Sequence, residues 1–212
     1  MINKFAILFA CGLAPCAFAT VLSPGVTAAP DVITSPQSSY TFLSSTSGNI
    51  NPVPGTSFNA SYTEYVTRDS SNVFGAGDIT YLIAVNNAGP GIIERVSSSN
   101  FNGFLTDVGY NASFGGGVVP SSVDRSTNGN VVGFNFIPPG TAIGTGMGSI
   151  MLVIETNGTQ NVPGFISIQD GQAGTGPGNQ PASAPEPVSM GLLGGGLALL
   201  GLARWHRREK KA

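Results

Sequence analysis

Between residues 20 and 187, acid, base or ligand chemistry would fall to ten carboxylates: Asp31, Glu64, Asp69, Asp78, Glu94, Asp107, Asp124, Glu155, Asp170 and Glu186. The same stretch has three arginines, Arg68, Arg95 and Arg125, and no histidine, cysteine or lysine. That excludes a Ser-His-Asp triad, a Cys-His pair, a Schiff-base lysine and a phosphate-loop lysine. It also excludes nearly every zinc site, because zinc prefers His and Cys ligands. Two carboxylates could form a glycosidase dyad. Here, however, the acids are spread one per segment, and the only tryptophan, Trp205, lies near the C-terminus. Calcium accepts carboxylate and carbonyl oxygens. Asp69-Ser70-Ser71-Asn72 with Asp78 offers one such loop, and Asp124 with Asn128 and Asn130 a second. Neither has EF-hand spacing, and Asp and Asn shaping their own turns is the simpler account. The expectation is therefore no cofactor and no enzyme, with calcium as the one alternative. The three arginines read as solvated or locally paired. Tyr40, Tyr62, Tyr65, Tyr81 and Tyr110 could stack on a glycan or pack a core.

The residues from 20 to 187 carry a net of seven negative charges and no basic patch, so a nucleic-acid partner is not expected. Charged residues are only 9% of the chain, while glycine (30) and proline (15) are abundant. This polar, uncharged, turn-rich composition suits an extracellular β protein and argues against a helical one.

Those side chains must be positioned by strands. Short bursts of period-two apolarity fall at 39–43, 58–67, 79–85, 92–96, 101–108, 131–136, 150–155 and 165–168. Turn chemistry separates them: Asn87-Ala88-Gly89-Pro90-Gly91, Gly115-Gly116-Gly117, Asn128-Gly129 and Asn157-Gly158. The spacing predicts an all-β body over 20–168, an antiparallel β-sandwich of about eight or nine strands. Its expected core comprises Phe58, Tyr62, Tyr81, Ile83, Val85, Phe104, Val108, Val132, Phe134, Phe136, Met151, Val153, Phe165 and Ile166. The segment 169–184, QDGQAGTGPGNQPASA, reads as a flexible Gly/Pro-rich linker.

The N-terminus has the layout of a secretory signal peptide over 1–19. Lys4 precedes an apolar run too short to span a bilayer. The small-x-small residues Ala17 and Ala19 place the cut before Thr20. Both cysteines, Cys11 and Cys16, fall inside this segment, where a lipoprotein site at either is the alternative. A cut after Ala19 leaves a chain without disulfides, stabilised by packing alone.

The C-terminus has three parts in order. Pro185-Glu186-Pro187 is followed by an uncharged apolar segment at 188–203 and then a basic end at 204–212. As a helix the apolar segment would measure about 24 Å, just short of a bilayer core. Arg204, Arg207, Arg208, Lys210 and Lys211 would stay cytoplasmic and halt export. Taken alone, this describes an exported domain tethered by one short helix.

Those 28 residues resemble the PEP-CTERM sorting signal of exported proteins in Gram-negative bacteria. The resemblance rests on Pro185-Glu186-Pro187, on Leu192-Leu193 with Gly194 to Gly196 and Leu197 to Leu202, and on Arg204 with Arg207-Arg208. Ala184 stands where that family often has valine. The resemblance implies recognition by an exosortase-type membrane enzyme and removal of the tail. It further implies passage from a membrane-tethered precursor to the cell surface or an exopolysaccharide-rich biofilm matrix. In that family Pro185, Glu186 and Pro187 would be a substrate site for another enzyme. A plain membrane anchor is the alternative. For the body, two expectations stand: a non-enzymatic matrix protein whose partner is extracellular polysaccharide, or a glycan-binding or adhesive module.

Overall fold

The computed structural model describes residues 21–52, 58–137 and 142–182. The signal peptide, the expected span 188–203, the sorting motif and the basic end all lie outside them.

The chain is all-β. Twelve strands follow in order: β1 (Thr27–Ala28), β2 (Asp31–Val32), β3 (Tyr40–Ile50), β4 (Ala60–Asp69), β5 (Ile79–Asn87), β6 (Arg95–Ser99), β7 (Thr106–Asn111), β8 (Ser122–Arg125), β9 (Val131–Asn135), β10 (Met151–Thr156), β11 (Asn161–Asp170) and β12 (Gln172–Pro181). They form two six-stranded sheets. Sheet I runs β2-β7-β10-β5-β4-β3, and sheet II runs β1-β8-β9-β6-β11-β12. Every pair is antiparallel except β2 with β7, which is parallel. The strand count exceeds the expected eight or nine because β1, β2 and β8 are too short to show a period. The twelfth strand falls in the stretch whose composition predicts a linker.

Between the sheets lies one large apolar cluster. Tyr81, Ile83, Leu152 and Ile154 enter it from sheet I, and Val96, Phe134, Ile166 and Ile168 from sheet II. The ring of Tyr81 meets Phe101 edge-on at 5.8 Å, the arrangement that ring quadrupoles favour. Most of the expected core residues are buried. Phe165 is not: it is 63% exposed, while its neighbour Ile166 is fully buried. A one-residue shift along a strand flips the face, so an error of one places the wrong side chain inside. Met151 and Val153 are displaced for the same reason. They belong to a smaller cluster with Ile33, Leu82, Tyr40, Tyr65 and Phe114, while Leu152 and Ile154 face the main core.

The expectation of a linker at 169–184 is overturned. Gln172–Pro181 pairs with β11 along its whole length, from Asp170↔Gln172 to Asn161↔Pro181. Its glycines recur every second residue. A Cβ placed on Gly176 would lie 2.5 Å from the Tyr62 hydroxyl oxygen, and one on Gly174 would strike Ile50. These glycines let the two sheets approach closely at one side of the sandwich. Polar bonds reinforce the contact. The Tyr62 hydroxyl donates to the Pro177 carbonyl (2.5 Å), and the Asn179 backbone N–H donates to the Glu64 carboxylate (2.6 Å).

Candidate functional site

Two features stand out, both on the outer face of sheet I. The first is a groove of about 340 Å³ lined by Gln37, Tyr40, Phe42, Tyr65, Thr67, Leu82, Phe114 and Met151. Its floor is the outward side chains of β4, β5 and β10. Its wall is made by two short 3-10 turns, Gln37–Ser39 and Ala112–Phe114, with the first residues of β3. The Gln37 side-chain amide donates to the Ser113 carbonyl (2.5 Å) and ties the turns together. Asn111 caps the second turn by accepting from the Ser113 N–H (2.8 Å), and its amide donates to the Tyr40 hydroxyl (3.0 Å). The rings of Tyr40 and Phe114 stand 5.4 Å apart, tilted by 57°. Burial pushes the Tyr40 phenol up to about 12, so it stays neutral. The groove thus offers aromatic faces, a thioether and two neutral polar side chains, with no charge in its lining.

Of the five tyrosines weighed for glycan stacking, Tyr40 and Tyr65 reach this groove. Tyr62 and Tyr81 are buried in the core, and Tyr110 packs against it. Phe42, Phe114 and Gln37 were not singled out in the sequence. The burst at 39–43 marked the strand, but nothing local ties Phe114 to a site 74 residues before it in the chain.

The second feature is a row of buried carboxylates. Asp107 on β7 pairs directly across from Glu155 on β10. Asp69 ends β4 on the same face, and Asp31 lies beside Asp107 from β2. Glu155 accepts one bond, from the Val73 N–H (3.2 Å), and Asp69 one from the Ser71 N–H (2.8 Å). One oxygen each of Glu155, Asp69 and Asp107 is buried with no hydrogen-bond partner. Desolvation raises Glu155 to about 7. Desolvation, and then the neighbouring Asp31, raise Asp107 to about 8. Glu64 is separate: it points into the core, is raised by desolvation to about 7, and is steadied by Asn179.

In the two loops weighed for calcium, several of the polar side chains bond the chain itself. In Asp69-Ser70-Ser71-Asn72, the Asn72 oxygen accepts from the Phe74 N–H (2.9 Å), and its amide nitrogen points inward to Thr80 (3.0 Å) and the Thr156 carbonyl (3.3 Å). Asp78 turns instead toward Gly75. Asp124 is held by a forked pair from Arg95, which lowers its pKa, and by the Asn135 amide (2.6 Å). Asn128 shapes its own turn by accepting from Ser126 (2.7 Å) and the Asn130 N–H (3.0 Å). Among the described residues no group of three or more His, Cys, Asp or Glu is arranged to hold a metal ion.

Arg95 is locally paired, as expected, through Asp124, but Arg125 departs from the expectation. Arg125 is buried, and its guanidinium donates to four carbonyls: Gly129 (3.0 Å), Leu22 (3.1 Å), Phe101 (2.7 Å) and Phe104 (2.7 Å). It is neither solvated nor paired with an acid. Instead it clamps the start of the body to two loops.

Pro185, Glu186 and Pro187, the cleavage pair Ala17 and Ala19, and the basic residues Arg204, Arg207, Arg208, Lys210 and Lys211 lie outside the described residues. Among the described residues no helix is long and apolar enough to cross a membrane. Comparison of the chain with protein-family models, curated proteins and solved structures finds no significant match.

Proposed function

We propose that this chain is an exported, non-enzymatic surface or matrix protein, delivered through its C-terminal tail to the cell surface or to an exopolysaccharide-rich biofilm matrix. The observation that carries the reading is the order of three parts at the C-terminus: Pro185-Glu186-Pro187, the apolar run 188–203 and the basic end 204–212. A processing enzyme of the exosortase class recognises the first part. The second and third hold the precursor in the membrane until the cut. The β-sandwich supports the reading as a compact unit with a dense apolar core and no cysteine between residues 20 and 187. Such a unit holds its shape outside the cell without disulfides.

A second reading is favoured by the groove: a glycan-binding module. Tyr40, Tyr65 and Phe114 supply ring faces, and Gln37 and Thr67 supply neutral hydrogen-bonding groups. Sugar rings have the same combination of apolar faces and hydroxyl edges.

The sorting reading is tested by replacing Pro185-Glu186-Pro187 with alanines in the producing cell and measuring the mass of the exported protein. The expected result is a wild-type product that ends near Pro187 and a variant that keeps its tail in the membrane. A wild-type product that also keeps residues 188–212 would reduce the tail to a plain anchor.

A further inference from the structure

A β-sandwich has exposed sheet edges, and those edges invite other strands. Among the described residues there are four, and three are blunted. β1 and β2 are two residues each. β12 carries Pro177 and Pro181, which cannot donate to a neighbouring strand. The fourth edge, β3, has no such protection. It runs for eleven residues, YTFLSSTSGNI, with no proline and no charged side chain. Among the described residues its ladder partner is β4 alone. A bulge interrupts the register between Phe42 and Ser44, after which Ser44 to Ile50 pairs regularly with Val66 to Ala60. β12 approaches β3 from its inward face, through the Asn179 amide on Thr46 (3.0 Å) and through Gly174 against Ile50. The outward face presents Ser45, Ser47 and Asn49 to solvent.

We infer that the Ser44–Ile50 stretch of β3 is a docking edge for the same strand of a second copy of this chain. The two strands pair antiparallel about a two-fold axis, joining two six-stranded sheets into one of twelve. Self-pairing fits the chemistry of this strand. A two-fold contact sets each strand against its own sequence, and a strand without charge meets no like-charge repulsion there. Its outward hydroxyls already pair across a ladder, as Ser47 does with Thr63 (3.1 Å). The same Ser/Thr pairing repeats across the new seam. Seven strand residues give a seam of about 24 Å, with main-chain hydrogen bonds as the main attraction.

The test uses the full chain in detergent with a reducing agent, which silences Cys11 and Cys16. Sedimentation velocity is run over a hundredfold concentration range, with hydrogen exchange of the 40–50 peptide measured at both extremes. The expected result is a monomer–dimer equilibrium in which dimer formation slows exchange in that peptide. The variant S45K/S47K sets lysines against each other across the seam and should weaken dimerisation at least tenfold while keeping its circular dichroism. A chain that stays monomeric throughout overturns the inference. So does a dimer that protects another segment and leaves 40–50 unchanged. If S45K/S47K does not fold, the wild-type exchange pattern decides alone.

Discussion

Asp107 stands directly opposite Glu155 in the antiparallel pairing of β7 with β10, and each has a buried oxygen with no hydrogen-bond partner. Among the described residues no arginine reaches either: Arg95 serves Asp124, and Arg68 and Arg125 donate to backbone carbonyls. Desolvation therefore favours the protonated form of both acids, raising Asp107 to about 8 and Glu155 to about 7.

This sets a pH dependence of stability. Unfolded carboxyls titrate near pH 4, whereas Asp107, Glu155 and Glu64 titrate near 7 to 8 when folded. Between about pH 4 and 8 the native state binds more protons than the unfolded state, so stability falls as pH rises through that window. Asp124 works in the opposite sense: its lowered pKa favours folding above its unfolded value, a contribution lost only at the acid end. The melting temperature should be higher at pH 5 than at pH 8.5. The variant E155Q, neutral throughout, should show a smaller drop. A flat profile from pH 5 to 8.5 would contradict the buried-acid account.

The glycine stripe of β12 predicts a steric penalty. In G176V the new side chain meets Tyr62 and should cost about 1–3 kcal/mol or more, as overpacking does. Gly171, in the turn before β12, has φ +63° and open space around it. G171A should cost about 1 kcal/mol, from backbone conformation alone. Urea denaturation of both variants separates the two effects. Equal costs would mean that β12 does not press on Tyr62.

Arg125 is buried against four carbonyls. R125M fills similar volume but leaves those carbonyls without their charged donor. It should destabilise by about 3 kcal/mol, read as a shift in the urea midpoint. R125K keeps the charge but cannot span the fork and should recover only part of the loss. Full rescue by lysine would show that charge alone matters at this position.

The groove makes its own prediction. If it contacts glycan, Y65A and F114A should each weaken binding to the producer's exopolysaccharide by about tenfold, the scale of one lost aromatic contact. The exposed Phe165, on sheet II, serves as control: F165A should leave binding unchanged. Titration calorimetry reads all three, with and without a chelator to expose any calcium requirement.

The two-sheet architecture was legible where side chains carry it. ITYLIAV at 79–85 and the aromatic alternation at 58–67 became β5 and β4 with ends shifted by about two residues. β12 was not legible, because its inward side chains are hydrogens. Alternating glycine looks like low complexity until the ring of Tyr62 is seen against it. Phe165 and Ile166 were ambiguous because two adjacent large apolar residues hide the strand's phase. The buried acids could not be read either. Asp107, Glu155 and Asp69 come from three strands far apart in the chain, and only sheet order makes them neighbours. The burial of Arg125 was hidden for a related reason: four carbonyls can satisfy a guanidinium, and backbone has no sequence signature.

The ordered end of β12 has a consequence for the tail. The Ala182 N–H is held by the Gln160 carbonyl (2.9 Å), and Pro185 follows three peptide links later. At 3.8 Å per link those Cα atoms can be separated by at most about 11 Å. On the proposed sorting route, an enzyme cutting at Pro185-Glu186-Pro187 would therefore work with the folded sandwich close to its entrance. Clearance, and not motif alone, would then govern the cut: a recessed active site would need β12 to peel back from β11, whereas a shallow one could act on the folded domain as it stands.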